Sequence, residues 1–218
     1  MRKKLIIYGA SFLDIIKLVD AINRIEPTWE ILGYLDDNKE IHGRVFMGYP
    51  VLGGRELVRE LSGREDTFFF VNISSHWSLV KSVADMLDSF GCRIATLVHP
   101  SIDMNYVQIG RGCIIPEGCV IGGNVKIGNF VMIRLKSLIS HDVTVGDFAF
   151  VGAGVNVSSN AILGPGCYLG TGATIMRKRS IGRSAVVGAG AVVTKDVPPD
   201  VTVAGVPAKA LKRVENAE

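Results

Sequence analysis

Residues 109–193 carry an aliphatic residue at every sixth position. The series runs through fifteen positions without a slip: Ile109, Ile115, Ile121, Ile127, Ile133, Ile139, Val145, Val151, Val157, Leu163, Leu169, Ile175, Ile181, Val187 and Val193. Glycine follows the aliphatic residue in most hexads, and a small or β-branched residue usually stands two places before it. A six-residue period is typical of a parallel β-helix, in which three hexads close one triangular coil. The run therefore predicts about five coils.

The first hundred residues follow a different pattern. Apolar runs typical of buried strands alternate with segments of helical periodicity at residues 12–25 and 77–90 and in RELVREL. The strand-like runs are KKLIIYG, WEILGYLDD, TFFFVNI and CRIATLVHP, and GYPVLGG is a connection or a short strand. Alternating strands and helices predict a parallel sheet with helices on its faces. We expect an α/β Rossmann-like domain over residues 1–103, followed by a β-helix domain with a short C-terminal tail over residues 104–218.

Charge and cysteine usage narrow the classes of function. The net charge of +3 is too small to indicate a nucleic-acid partner. The four cysteines form no CxxC motif and suit a reduced, cytoplasmic protein. The apolar run near the N-terminus is too short for a signal peptide, and no unbroken run of about 18 apolar residues predicts a membrane span. His42, His76 and His99 lie outside the hexads, so we expect no zinc site of three coil-borne histidines.

The stretch GAGAVVTKDVPPDVTVAGVPAKALKR at residues 188–213 completes a resemblance. Together with the hexads, it resembles the left-handed β-helix acyltransferases of the hexapeptide family. The N-terminal half and GYPVLGG make the chain more similar to the nucleotide-sugar O- and N-acetyltransferases, which include sialic acid O-acetyltransferase and enzymes that acetylate UDP- or GDP-linked amino sugars. The resemblance implies acetyl-CoA as co-substrate, no metal, a nucleotide-sugar acceptor, a role in surface glycan synthesis, and a homotrimer with its active sites between subunits.

His141 is the one histidine in the second half of the chain, and Asp142 follows it. Acetyl transfer needs a base that removes a proton from the nucleophile, and an imidazole held by a carboxylate suits that role. His141 comes two residues after Ile139, which places it at a corner of a coil. The resemblance implies that His141 is the catalytic base, that Asp142 raises its basicity, and that a neighbouring subunit faces this corner. The alternative is a solvated turn histidine.

The resemblance also implies a set of contacts with the acyl donor. A backbone N–H one coil after His141, at Ser159, would hold the oxyanion. Positions matching the coenzyme A contacts are Phe150, Thr171 and Ala189. Lys195 and Lys209 could meet the phosphates of coenzyme A. Phe150 departs from a related pattern that has a second histidine at this place, and it could only pack against the cofactor.

The motif YGASF, at residues 8–12, follows a strand and opens a helix, so its N–H groups could meet a phosphate. It lacks GxGxxG, and the family usually has Gly-His where this chain has Phe12 and Leu13, so Ser11 and Phe12 would border a modified site. Asp36 and Asp37 match acids that contact the nucleotide, and Ser74 would border the same crevice. The alternative is a domain that keeps the fold without the nucleotide.

Arg134 stands where amino-sugar acetyltransferases often have asparagine. An arginine could bind an anionic acceptor or a phosphate, and it could also repel a protonated amine. The acceptor could therefore be an amine or a hydroxyl of a nucleotide sugar. Two other possibilities stay open: an acyltransferase with a different acceptor, such as sialic acid, serine or a lipid-linked sugar, and a non-catalytic nucleotide-sugar-binding protein.

Overall fold

The computed structural model describes residues 2–11, 13–73 and 77–211 of the 218-residue chain. Residues 3–94 form a six-stranded sheet with helices on both faces. Its elements are β1 (Lys3–Tyr8), α1 (Asp14–Ile25), β2 (Trp29–Leu35), β3 (Val45–Phe46), β4 (Tyr49–Gly53), α2 (Val58–Ser62), β5 (Thr67–Val71), α3 (Trp77–Ser89) and β6 (Arg93–Ile94), with short 3₁₀ turns at Lys39–Ile41 and Arg55–Leu57.

The sheet order is β3-β4-β2-β1-β5-β6, and β1 is parallel to both of its neighbours. Successive residues of β1 are buried on opposite faces: Ile7 packs with α1, while Ile6 packs with α2 and α3. Burial on both faces explains why β1 is a continuous apolar run. Gly9 ends this strand with φ of +103°, and a Cβ there would lie 2.7 Å from the Asn72 carbonyl oxygen. The expected parallel sheet is confirmed, except that its edge strand β3 runs antiparallel to β4.

The predicted last strand, CRIATLVHP, divides into two. β6 pairs with β5, but β7 (Leu97–Val98) pairs with a strand of the coils. The chain changes partner because the N–H of Leu97 donates to Cys113 O at 2.8 Å. The short segment from β6 to β7 thus carries the chain from the sheet of the first half to the domain side of the coils. The division of the chain into residues 1–103 and 104–218 stays a prediction.

Every aliphatic residue of the hexad series is the second residue of a two-residue strand. The strands are β8 (Gln108–Ile109), β9 (Ile114–Ile115), β10 (Val120–Ile121), β11 (Lys126–Ile127), β12 (Met132–Ile133), β13 (Leu138–Ile139), β14 (Thr144–Val145), β15 (Phe150–Val151), β16 (Asn156–Val157), β17 (Ile162–Leu163), β18 (Tyr168–Leu169), β19 (Thr174–Ile175), β20 (Ser180–Ile181), β21 (Val186–Val187) and β22 (Val192–Val193). They form a parallel β-helix, since each strand from β8 to β19 pairs with the strand 18 residues later. The second residues fill one core between its faces.

The coils have three faces. The domain face consists of β9, β12, β15, β18 and β21, the second face of β10, β13, β16, β19 and β22, and the third face of β8, β11, β14, β17 and β20. The domain face packs against the sheet half, because Ile114 and Met132 join the cluster that contains Ile15 of α1. Beyond β21, the domain face continues with β23 (Thr202–Ala204), which is parallel to β21, and β24 (Lys209–Ala210), which is antiparallel to β23.

Candidate functional site

His141 and Asp142 form a hydrogen-bonded pair at the edge between the second and third faces. The distance from His141 Nδ1 to Asp142 Oδ2 is 2.7 Å, and the His141 side chain is 58% exposed. The Nδ1–H of the neutral ring donates to the carboxylate, so Nε2 is left with the lone pair. The coil fold creates this geometry, because Asp142 has φ of +60° and turns the chain directly after His141. The pair has the form that a general base needs.

Asn124 lies one coil before Asp142 and completes the pair. Its Nδ2 donates to Asp142 Oδ1 at 2.7 Å, so each carboxylate oxygen accepts a hydrogen bond. The hydrogen bond from His141, followed by that from Asn124, holds the pKa of Asp142 below its usual range. Sequence reasoning missed Asn124. The signal was available, because residues 18 apart are stacked neighbours in a coil of three hexads.

Gly122 lies in the preceding coil, against the peptide bond between Ser140 and His141. A Cβ on Gly122 would be 2.6 Å from the His141 nitrogen, so glycine permits the close approach of the two coils. Tyr106 and Gln108 border an open groove of about 680 Å³ beside His141 and Asp142. Tyr106 is 90% exposed. The base therefore stands at a surface that is open to a second molecule.

Ser159 is stacked on the His141 corner. The Asn160 N–H donates to the His141 carbonyl at 3.2 Å, and the Ser159 carbonyl accepts from Lys178 N at 3.1 Å. Within the described part of the chain, the N–H of Ser159 takes part in no backbone hydrogen bond. The structure therefore brings the residue predicted to hold the oxyanion next to the predicted base.

The other predicted donor contacts lie on different parts of the coils. Thr171 and Ala189 are exposed and stacked at the edge between the domain face and the second face. Phe150 points outward from the domain face and stacks on Tyr168, with 4.8 Å between ring centroids. Lys195 and Lys209 are exposed, and Lys209 lies in β24. Within one chain, Thr171, Ala189, Phe150 and Lys209 lie away from the edge of His141. Lys195 follows β22 and lies on that edge, three coils after His141. The roles of all five residues stay predictions.

The carboxyl ends of β1, β2 and β5 meet in a crevice. The Ala10 N–H donates to Asp36 Oδ2 at 3.0 Å, and the Ser11 hydroxyl donates to Asn72 O at 3.0 Å. Ser11 and Asp36 thus lie together at the turn that follows β1, where parallel sheets bind their ligands. Phe12 and Ser74, also predicted for this site, lie outside the described residues.

Asp37 is already engaged inside the chain. The Tyr8 hydroxyl donates to its two oxygens at 3.0 and 2.9 Å, and Arg55 Nη2 donates to Oδ2 at 2.6 Å. The hydrogen bond from Arg55 is the main cause that lowers the pKa of Asp37, while burial and the bond to Asp37 raise the pKa of Tyr8. Asp37 therefore fixes Arg55 at the crevice. Sequence reasoning missed Arg55, since no spacing connects it to Asp37.

Arg134 lies at the junction of the two halves. Its side chain is 12% exposed, and Nη2 is 3.9 Å from Asp14 Oδ2 at the start of α1. Burial lowers its pKa. Arg134 thus faces the end of the sheet where the turn of residues 9–11 lies, and not the edge of His141.

Among the described residues, no group of three or more His, Cys, Asp or Glu side chains could hold a metal ion. Within residues 2–11, 13–73 and 77–211, no helix has the length and apolar character needed to cross a membrane.

Known proteins share this repeat and this fold. The family of bacterial transferase hexapeptides (six repeats) matches residues 142–177. A search of curated proteins finds no match. Among solved structures, the acetyltransferase domain of PglB from Neisseria gonorrhoeae, in complex with acetyl coenzyme A, is 26% identical, with a TM-score of 0.86 over 97% of this chain and 100% of that domain.

Two further structures agree. PerB from Caulobacter crescentus, in complex with CoA and GDP-perosamine, is 25% identical, with a TM-score of 0.85 over 96% of this chain and 97% of that one. WeeI from Acinetobacter baumannii is 27% identical, with a TM-score of 0.80 over 95% of this chain and 99% of that one. These matches confirm the predicted fold class, an α/β Rossmann-like domain followed by a left-handed parallel β-helix.

Proposed function

We propose that this chain, a hexapeptide-repeat acyltransferase of the left-handed β-helix type, transfers an acetyl group from acetyl-CoA to an amine of a nucleotide-linked sugar. The observation that carries the proposal is the 2.7 Å pair of His141 and Asp142 at an open edge of the coils. PglB bound to acetyl coenzyme A and PerB bound to CoA and GDP-perosamine support the two substrates.

The reaction is a direct transfer. Nε2 of His141 removes a proton from the amine as the amine nitrogen attacks the thioester carbonyl carbon. The C–S bond then breaks, and the imidazolium returns its proton to the departing thiolate of coenzyme A. Asp142 holds the ring in the tautomer with a free Nε2 and stabilises the imidazolium that forms. Because Asn124 fixes the second oxygen of Asp142, the carboxylate keeps its orientation.

The N–H of Ser159 would stabilise the negative charge that develops on the thioester oxygen. Two observations support this role. Ser159 lies one coil after His141, and its N–H donates no backbone hydrogen bond within the described residues. Thr171, Ala189, Phe150 and Lys209 would contact coenzyme A from another subunit, because they lie away from the edge of His141. Lys195 lies on that edge, three coils later, and would meet the phosphates from the same subunit as His141.

The nucleotide would lie in the crevice of the sheet half. The turn of residues 9–11 leads toward α1, where Arg134 lies near Asp14, so Arg134 would meet its phosphates. Arg55, held by Asp37, places a further cation at the same crevice. Asp36 and Ser11 would position the ribose or base.

A homotrimer would bring these parts together. Residues Val120 and Leu138 of the second face are 57% and 38% exposed, and Tyr106 beside His141 is 90% exposed. Apolar side chains beside an otherwise incomplete site are expected where another copy packs, and heterologous contacts of this kind close into rings. Acetyl-CoA and nucleotide sugars are cytoplasmic compounds, so we place the reaction in the cytoplasm.

The test is release of free thiol from acetyl-CoA with a panel of UDP-, GDP-, dTDP- and CMP-sugars, in amino and hydroxy forms. We expect release with a nucleotide amino sugar, and loss of at least about 100-fold in His141→Ala, because general-base catalysis contributes about that much. His99→Ala is the matched control, since His99 Nδ1 is bonded to Ser101 Oγ at 2.8 Å, away from the edge of His141.

The other possible functions have their own outcomes. Turnover with free sialic acid, serine or a lipid-linked sugar, and not with any nucleotide sugar, would replace the proposed acceptor. Binding of a nucleotide sugar without thiol release would indicate the non-catalytic protein. Unchanged turnover in His141→Ala would remove His141 from the mechanism.

A further inference from the structure

An apolar cavity lies between α3 and the domain face of the coils. It measures about 310 Å³, and its walls include Trp77 and Val80 of α3, Phe150 and Tyr168 of the domain face, and Ile73, which follows β5. This volume lies at the lower end of the range of small-molecule sites.

The cavity exists because a column of side chains changes at one coil. Phe130, Phe148, Gly166 and Ser184 occupy equivalent corners of successive coils, and each has φ between 53° and 65°. Phe130 and Phe148 stack in parallel, with 5.5 Å between centroids. The column loses its side chain at Gly166, where a Cβ would lie 2.8 Å from the ring of Trp77. Two phenylalanines show that this conformation accepts an aromatic residue. At Gly166 the ring of Trp77 takes the place of a side chain, and the small Ser184 leaves the neighbouring space open.

The lining selects the chemistry of an occupant. Among the described residues that line the cavity, none is charged, and the Tyr168 and Ser184 hydroxyls are the side-chain oxygens. A charged or hydroxyl-rich group would lose its hydration here without replacement hydrogen bonds. An apolar group would gain from leaving water. The parallel stacks of Phe130 on Phe148 and of Phe150 on Tyr168 make the walls flat.

We propose that this cavity is a binding site for an uncharged, apolar group of a small molecule. One wall residue, Phe150, is also proposed above to contact coenzyme A, but the inference stands on the shape and lining of the cavity, so it can hold if the proposed reaction fails. Such a group could arrive as the acyl part of a thioester or as a free hydrophobic molecule.

The probe is N-phenyl-1-naphthylamine, an uncharged aromatic amine that fluoresces in apolar surroundings. The chain has two tryptophans, Trp29 and Trp77. In a Trp29→Phe background, excitation of the remaining Trp77 reports probe bound at the cavity through energy transfer. We expect saturable binding with energy transfer, and no such signal with an anionic naphthalene sulfonate at the same concentration.

Two filling variants test the site. Ser184→Phe continues the aromatic column, and Val186→Phe extends the row of Phe150 and Tyr168. We expect each to weaken binding of the probe at least tenfold, while Ser184→Ala, which keeps the space, binds as the parent does. Circular dichroism and a thermal midpoint identify any variant that fails to fold, and either filling variant then suffices. Parent-like binding by a folded filling variant overturns the proposal.

Competition separates the sources of the group. Displacement of the probe by hexanoyl-CoA, but not by CoA, assigns the cavity to the acyl part of a thioester. Displacement by p-cresol, but not by hexanoyl-CoA, assigns it to a free hydrophobic molecule. Another copy of the chain could instead cover the cavity. In that case the parent binds no probe, and sedimentation shows a smaller assembly for Ser184→Phe, a result that overturns the proposal.

Discussion

The coil half and the sheet half bury their residues in different ways. On the second and third faces of the coils, neighbouring residues of a strand have opposite environments: Leu163 is 1% exposed, and Ile162 is 53% exposed. In β1, Ile6 and Ile7 are both fully buried, since helices cover both faces of the sheet. A coil therefore has one core and a free outer surface that can carry a base such as His141. In the sheet half, the polar side chains of the candidate site, such as Asp36 and Ser11, lie beyond the ends of the strands.

The largest expected effect tests this contrast directly. Leu163→Ala should lower the free energy of unfolding by about 2–5 kcal/mol, because it opens a cavity in the core of the coils. Ile162→Ala should change it by less than about 0.5 kcal/mol, because the side chain is at the surface. Ile6→Ala and Ile7→Ala should both cost about 2–5 kcal/mol. Urea unfolding measures all four, and equal losses at residues 162 and 163 would break the comparison.

Substitutions of Asp142 and of Asp37 should change different kinetic constants of acetyl transfer. Asp142→Asn should lower kcat for acetyl transfer about 100-fold or more, because the amide no longer selects the tautomer of His141. Asp37→Asn should leave kcat nearly unchanged and raise KM for the nucleotide sugar about tenfold, because Arg55 loses its ion pair at the crevice. Steady-state kinetics with both substrates distinguishes them. A fall in kcat alone for Asp37→Asn would place this residue in the chemistry instead.

Two neighbouring glycines in the coil before His141 allow a comparison between adjacent positions. Gly122→Ala should reduce kcat about tenfold, or about 1.4 kcal/mol, because its Cβ would lie 2.6 Å from the His141 nitrogen. Gly123→Ala meets nothing within 4 Å of its Cβ and should have a much smaller effect. The readout is thiol release, with circular dichroism as the control for folding. Similar rates for the two variants would mean that the corner of His141 moves without cost.

The smallest effect concerns pH. Asp142 has a lowered pKa, so its carboxylate stays ionised, and its contribution is lost as pH falls through that pKa. Asn124→Ala removes one hydrogen bond to the carboxylate and should raise the pKa of Asp142 toward its usual value. The part of the acid limb of kcat that Asp142 governs should then move to higher pH. An unchanged limb would show that Asn124 does not tune the pair.

The sequence is most informative where the structure is periodic. All fifteen hexad positions fall on second residues of strands, because each coil repeats the backbone of the one before it. The same period places His141 at a corner and would have placed Asn124 beneath Asp142. The pair of His141 and Asp142 needed no knowledge of distant contacts, since the two residues are adjacent in the chain.

The sheet half and the junction carry no such period. Nothing in the spacing of Asp37 and Arg55 indicates that they bond, and the split of the last predicted strand follows from a partner in the coils. The same holds for Arg134, whose neighbour Asp14 comes from α1. The cavity at Gly166 depends on where α3 places Trp77, which is a matter of packing between distant segments.

The antiparallel turn from β23 to β24 has a consequence for association. A stack of parallel coils ends in a row of unpaired backbone N–H and C=O groups, which is a template on which another chain could continue the stack into a fibre. Here, on the domain face, β21 pairs with β23, and Val203 of β23 pairs with the two-residue strand β24 (Lys209–Ala210). β24 runs antiparallel to β23 and carries an exposed lysine. The reversal presents a short, charged edge in the wrong direction for another coil, so this end of the stack is protected against end-to-end growth.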